Sequence, residues 1–138
     1  MVSKPRSGFR EIEHTADWEL QVWAPDFLAL LEQAARAMGI LLEITLESTP
    51  RLHRSFELPF SDQETLLVDF LSELLFLGED QGIAFDKFEL KMFGNSFYAS
   101  LEGAAIKDQA KEIKAVTYHC LKIRSTAQGL ETNLVFDV

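Results

Sequence analysis

Apolar residues alternate with polar ones at period two in segment after segment of this chain, while a helical period appears in only two. That imbalance limits the fold more than any other feature. Phe9 to His14 has strand character, and Trp18, Leu20, Val22 and Ala24 alternate with polar positions just beyond it. Thr15-Ala16-Asp17 makes a short connection between the two. Leu52, Phe56, Leu58 and Phe60 alternate again, and Pro59 lacks a backbone donor, so that strand ends or lies at an edge there. Phe88, Leu90 and Met92 lead into Gly94-Asn95, and Phe97, Ala99 and Leu101 lead out, which predicts a hairpin with glycine first in its turn. Two further strands are expected, from Ala115 to Ile123 and from Asn133 to Val138.

The first helical segment opens at Pro25-Asp26. Phe27, Leu30, Leu31, Ala34, Ala35, Met38, Leu41 and Leu42 recur at its spacing. Asp26 is placed to cap it, with its charge at the positive end of the helix dipole. A second begins at Ser61 with Glu64 three residues on, the pattern of a capping box. Leu67, Phe70, Leu71, Leu74 and Leu75 form its apolar face, and Gly78 and Gly82 end it. About seven strands, mostly joined as hairpins, with two main helices predict an α+β fold built on a mixed, mostly antiparallel sheet. The 138 residues fit one domain spanning 1–138.

Charge and cysteine content narrow the function classes. The net charge of −9 disfavours direct contact with a phosphate backbone unless a local basic patch exists. A mild basic group, Lys107, Lys111, Lys114, Lys122 and Arg124, is diluted by Asp108 and Glu112. Asp62, Glu64, Asp69, Glu73, Glu79 and Asp80 meet no basic residue in their stretch. They form either a solvated helix face or a surface that docks on a basic partner. The single cysteine, Cys120, cannot form an internal disulfide, which fits a reducing, cytoplasmic setting. Met1 to Gly8 is polar and basic without an apolar core, so no signal peptide is expected there. No segment offers the roughly 20 apolar residues of a membrane span.

Common catalytic motifs are missing, including a glycine-rich phosphate loop and a Gly-x-Ser-x-Gly elbow. His119 and Cys120 are adjacent, but successive strand residues point to opposite faces, so their side chains should not meet. In step with Val116 and Tyr118, Cys120 reads as a small core residue. His14 and Asp17 are three apart, but three histidines and one cysteine make a poor zinc set. The stretch Leu134-Val135-Phe136 before Asp137 and Val138 is more informative. An apolar terminal strand should be tied into the sheet, which would fix the Asp137 carboxylate and the terminal carboxylate in space. Two carboxylates about 4 Å apart repel by about 1 kcal/mol in water and about 4 kcal/mol near a protein surface. If Asp17 joins them, a cation or a lysine is needed, and all-oxygen donors favour Ca²⁺, Mg²⁺ or Mn²⁺. Alternatively Asp17 makes an Asx-turn and Asp137 fronts solvent.

Four stretches together resemble the archease family. They are Phe9-Arg10-Glu11-Ile12-Glu13-His14-Thr15-Ala16-Asp17, Leu66 through Leu75, Lys114-Ala115-Val116-Thr117-Tyr118-His119 and Val135-Phe136-Asp137-Val138. They occur in family order and span nearly the whole chain. The resemblance implies a non-catalytic accessory protein of tRNA splicing and processing. Its partner would be an RtcB-type RNA ligase, which uses GTP and Mn²⁺ through a guanylylated histidine, and RNA would be met only through that ligase. It further implies a metal site at Asp17, Asp137 and Val138, with calcium the usual occupant and magnesium or manganese as alternatives. Lys114 is implied to be functional at a ligase-facing end, with His14 and His119 as further partner-facing candidates. No catalytic or organic-cofactor residues are implied. Two competing functions are a general chaperone or interaction module using the Ser61–Asp80 face, and a metal-dependent hydrolase with His14 or His119 as base.

Overall fold

The protein is described by a computed structural model covering residues 6–12 and 18–138. Its strands are β1 (Gly8–Ile12), β2 (Trp18–Ala24), β3 (Ile44–Leu46), β4 (Leu52–Pro59), β5 (Ile83–Phe93), β6 (Ser96–Gln109), β7 (Ala115–Val116), β8 (Arg124–Thr126) and β9 (Gly129–Asp137). The helices are α1 (Phe27–Leu41), between β2 and β3, and α2 (Gln63–Gln81), between β4 and β5. One five-stranded sheet runs β1-β2-β9-β7, with β8 also on β9. The other has four strands, with β6 flanked by β5 on one edge and by β4 and β3 on the other. Every pairing among the described strands is antiparallel. The fold is therefore α+β with two helices, as the periodicity predicts.

Period two does its expected work in β2, where Leu20, Val22 and Ala24 face the core and are each at most 1% exposed. Helix α1 is buried around much of its circumference, through Leu30, Leu31, Ala34, Ala35, Ala37, Met38 and Leu41. A helix apolar on so many sides needs neighbours on more than one of them, and α1 packs against both β2 and β5. Asp26 caps it as predicted, accepting a hydrogen bond from the Ala29 N–H at 2.9 Å. Leu66, Leu67, Phe70 and Leu71 of α2 join the same core. There the Phe70 ring meets Phe97 of β6 edge-on, with centroids 5.4 Å apart.

The capping box at the start of α2 is corrected. Asp62, not Ser61, is the N-cap, accepting from the Thr65 N–H at 2.8 Å and the Thr65 hydroxyl at 2.9 Å. Those bonds, the backbone one foremost, hold the Asp62 carboxyl below its ordinary range. With Asp62 as the cap, Glu64 lies in the first turn and bonds elsewhere, to the Ile123 N–H. The helix also runs through Gly78 and ends at Gly82, whose φ of 65° suits a residue without a Cβ.

The predicted hairpin is present, with Gly94 at φ 60° between β5 and β6. Its register shifts between Phe85 and Lys87, a bulge at Asp86. Asp86 is held there by an ion pair with Arg51, and its carbonyl accepts from Arg36 at 3.1 Å. Across from the bulge, Gly103 approaches β5 so closely that a Cβ would stand 1.8 Å from the Ala84 carbonyl oxygen. The strand expected from Ala115 to Ile123 is also corrected: only Ala115 and Val116 pair as β7, and the chain then leaves the sheet to return as β8. β3 and β8 are short strands that the periodicity did not announce.

Gly103→Ala is expected to destabilise the protein by at least about 2 kcal/mol, because backbone rather than a pliable side chain blocks the added methyl. A fall in the urea midpoint at unchanged slope measures it. A midpoint equal to the native one would contradict the close approach.

Candidate functional site

The end of β9 is held along both edges. Trp18 of β2 pairs with Phe136 on one side, and Val116 and Ala115 of β7 pair with Phe136 and Asp137 on the other. Leu134, Val135 and Phe136 are buried in succession, so the apolar run is tied into the sheet as expected. Asp137 and Val138 follow directly and are exposed. The Lys114 N–H donates to the Asp137 carbonyl at 2.8 Å, which fixes the main chain of Asp137 while its carboxylate faces outward. Among the described residues that carboxylate meets no hydrogen-bond or ion-pair partner.

Lys114, Asp137 and Val138 are thus brought together. His14 and Asp17 lie outside the described residues. Among the described residues no three His, Cys, Asp or Glu side chains gather closely enough to hold a metal ion. The donors that the end of β9 presents are oxygens, a set whose chemistry suits a hard cation.

His119 sits in the segment that leaves the sheet after β7. The Thr117 N–H and hydroxyl both donate to the Val135 carbonyl at 3.0 Å. The same hydroxyl oxygen accepts from the His119 N–H at 3.2 Å. The Leu121 N–H closes a turn on the Tyr118 carbonyl, and Cys120 takes a φ of 51°. Here two expectations fail together. Cys120 is exposed rather than a core residue, and its Sγ lies 3.7 Å from His119 Nε2. The turn, which replaces the predicted strand, removes the alternation that would have kept the two side chains apart.

The far end of this segment is anchored to α2. The Ile123 N–H donates to Glu64 Oε2 at 2.9 Å, and the hydroxyl of Thr132, fully buried, donates to the Lys122 carbonyl at 2.9 Å. Glu64 and Thr132 were missed by sequence reasoning. A Ser-x-x-Glu pattern hid the first, and a threonine in an alternating strand carries no signal of a cross-loop bond. Tyr118 is exposed, and partial burial, then the charges of Asp69 and Asp62, raise its phenol above the ordinary value. The segment therefore sets an aromatic side chain beside the acidic start of α2.

The two charge groups look different in three dimensions. Asp62 and Glu64 are engaged within the chain, whereas Glu79 and Asp80 are exposed. Lys111 pairs with Glu43 at 3.3 Å and lies 5.3 Å from the Trp18 ring centroid. Arg124 bonds the Asn133 side chain at 3.0 Å. With Lys111 and Arg124 so occupied, the basic group forms no continuous stripe of free cations. No helix among the described residues is long and apolar enough to cross a membrane.

Residues 9–138 match the Archease protein family. Protein archease of Methanosarcina barkeri is 32% identical over 99% of this chain and 100% of its own length. Protein archease of Methanosarcina acetivorans is 33% identical over 94% of this chain and 95% of its own. Among solved structures, an archease and possible chaperone from Thermotoga maritima superposes with a TM-score of 0.70 at 27% identity, covering 100% of this chain and 98% of that one. Protein 1598 of Methanobacterium thermoautotrophicum gives a TM-score of 0.74 at 26% identity, covering 95% and 99%.

Glu64→Ala should leave the Ile123 N–H without its acceptor and cost about 1–2 kcal/mol. Amide hydrogen exchange should show protection lost at Ile123 while the α1 amides stay protected. Unchanged protection at Ile123 would mean that the segment is anchored by other contacts.

Proposed function

The chain belongs to the archease family, and on that premise we propose that it is a non-catalytic cytoplasmic protein that activates an RtcB-type RNA ligase. Activation would consist of promoting guanylylation of the ligase and its return to further turnovers. The observation that carries this reading is the end of β9, where a tightly paired strand delivers the Asp137 carboxylate to the surface with its main chain tied to Lys114. A side chain presented on so fixed a backbone suits entry into a partner's reaction centre better than a frayed tail would.

Asp17, Asp137 and Val138 are the residues that would hold a divalent cation, calcium before magnesium or manganese. Support for including Asp17 comes from its chain neighbour: Trp18 is paired with Phe136, the residue before Asp137. A bound cation would supply positive charge able to face a phosphate group. The chain's own contribution is placement. β2 and β7 hold the strand end, and Lys114, bonded to it through its main-chain N–H, is the residue that would act at the ligase-facing end. The segment after β7 carries Tyr118 and His119 on the exposed surface, where they could meet the partner. RNA need not touch this acidic protein.

A general chaperone is the second reading, favoured by Phe76, which is 54% exposed on the acidic α2. The Thermotoga maritima relative is itself described as a possible chaperone.

Guanylylation of a cognate RtcB-type ligase with GTP and Mn²⁺ separates the two. Substoichiometric native chain should accelerate it, and folded Asp17→Ala and Asp137→Ala variants should each lose at least about tenfold of that stimulation. Absence of stimulation, with aggregation of unrelated proteins suppressed equally by native and variant chains, would favour the chaperone.

A further inference from the structure

We propose that the cavity between the C-terminal halves of α1 and α2 binds a small amphiphilic cation, an apolar body carrying an ammonium group. The cavity encloses about 390 Å³, within the roughly 300–1,000 Å³ usual for small-molecule sites. Met38 of α1 and Leu42 just beyond it, Leu74 and Leu75 of α2, and Phe85 and Phe88 of β5 give it an apolar wall. That lining suits a hydrocarbon or aromatic body and not a hydrated ion. Among the described residues, no cluster of ligating side chains is present there for a bare metal.

The space is not an accident of tight neighbours. Gly39 of α1 and Gly78 of α2 both line it. Glycine is the weakest helix former after proline, so a helix uses it at some cost. A Cβ on Gly39 would meet nothing within 4 Å, and one on Gly78 would make only ordinary contacts, the nearest at 3.7 Å. Neither glycine is required by the packing of this chain, and their missing side chains leave room at the cavity.

Charge selects the head group. Both helices end at this cavity, and neither has a basic residue in its last turn, so the negative ends of two helix dipoles lie toward it, met by backbone N–H groups of Leu42, Gly82 and Lys111. Glu79 and Glu112 add carboxylates to the lining. Lys111 is the basic residue among the lining side chains, and it is engaged with Glu43 and the Trp18 ring. Gln109 donates one of its two side-chain N–H groups to the Lys111 carbonyl. The mouth therefore favours a cation over an anion attached to the same apolar body. None of this depends on the ligase reading.

Three probes with one body and different heads test the site: octylamine, octanol and octanoate, each below its micelle concentration at neutral pH. Amide shifts of the native chain should move around Gly39, Gly78 and Ile113. Octylammonium should bind about tenfold more tightly than octanoate, with octanol between. Gly39→Leu, which fills the cavity from a position with room for a side chain, should weaken octylammonium binding at least tenfold. Octanoate binding as tightly as octylammonium would overturn the proposal, as would shifts that never saturate or a folded Gly39→Leu variant that binds unchanged. The head-group comparison uses the native chain and decides the matter even if that variant does not fold.

Discussion

Strand β9 is hydrogen-bonded along both edges, to β2 on one side and to β7 and β8 on the other, and the rest of the molecule is arranged around that pairing. Its inward residues, Leu134 and Phe136, are fully buried against the core that α1, α2 and β6 share. Because side chains alternate along a strand, a slip of one residue would turn Leu134 and Phe136 away from that core. The core therefore fixes the register, and the register fixes where Asp137 emerges. The Lys114 N–H and both donors of Thr117 are directed at β9, so the chain after β7 is positioned by the same strand.

Much of this was legible in the residues themselves. Leu20, Val22 and Ala24 announced β2, the Gly94-Asn95 pair announced the β5–β6 hairpin, and Asp26 announced the start of α1. Each of these signals is local, which is why it could be read. The burial of Leu134 to Phe136 was legible too, from their apolar run. What failed depended on contacts between distant parts of the chain. Glu64 reads as half of a capping box until the Ile123 N–H is seen beside it. Val116, Tyr118 and Cys120 alternate as a strand would, yet Thr117 and the turn at Cys120 carry the chain out of the sheet. A positive φ at cysteine has no counterpart in the sequence, where glycine or asparagine would have given warning.

The candidate site was legible only in part. Periodicity and charge could say that carboxylates near Asp137 would need a cation if Asp17 joined them, but not that the two ends of the chain approach. Resemblance to the archeases supplied that idea, and the pairing of Trp18 with Phe136 gives it physical support. The acidic and basic residues illustrate the opposite limit. Read along the sequence they form two groups, whereas in the fold Asp62, Glu64, Lys111 and Arg124 are largely consumed by caps, anchors and ion pairs. What remains exposed at the end of β9 is Asp137 and Val138, on a strand held along both edges.

The proposed activator role depends most heavily on Asp17 and Asp137 holding one cation jointly. Calcium titration of the purified, metal-stripped chain by calorimetry, alongside Asp17→Asn and Asp137→Asn, tests that directly. One binding site in the native chain, lost in each variant while both keep the native circular dichroism, is the predicted result. Equal calcium affinity in the native chain and either folded variant would contradict it.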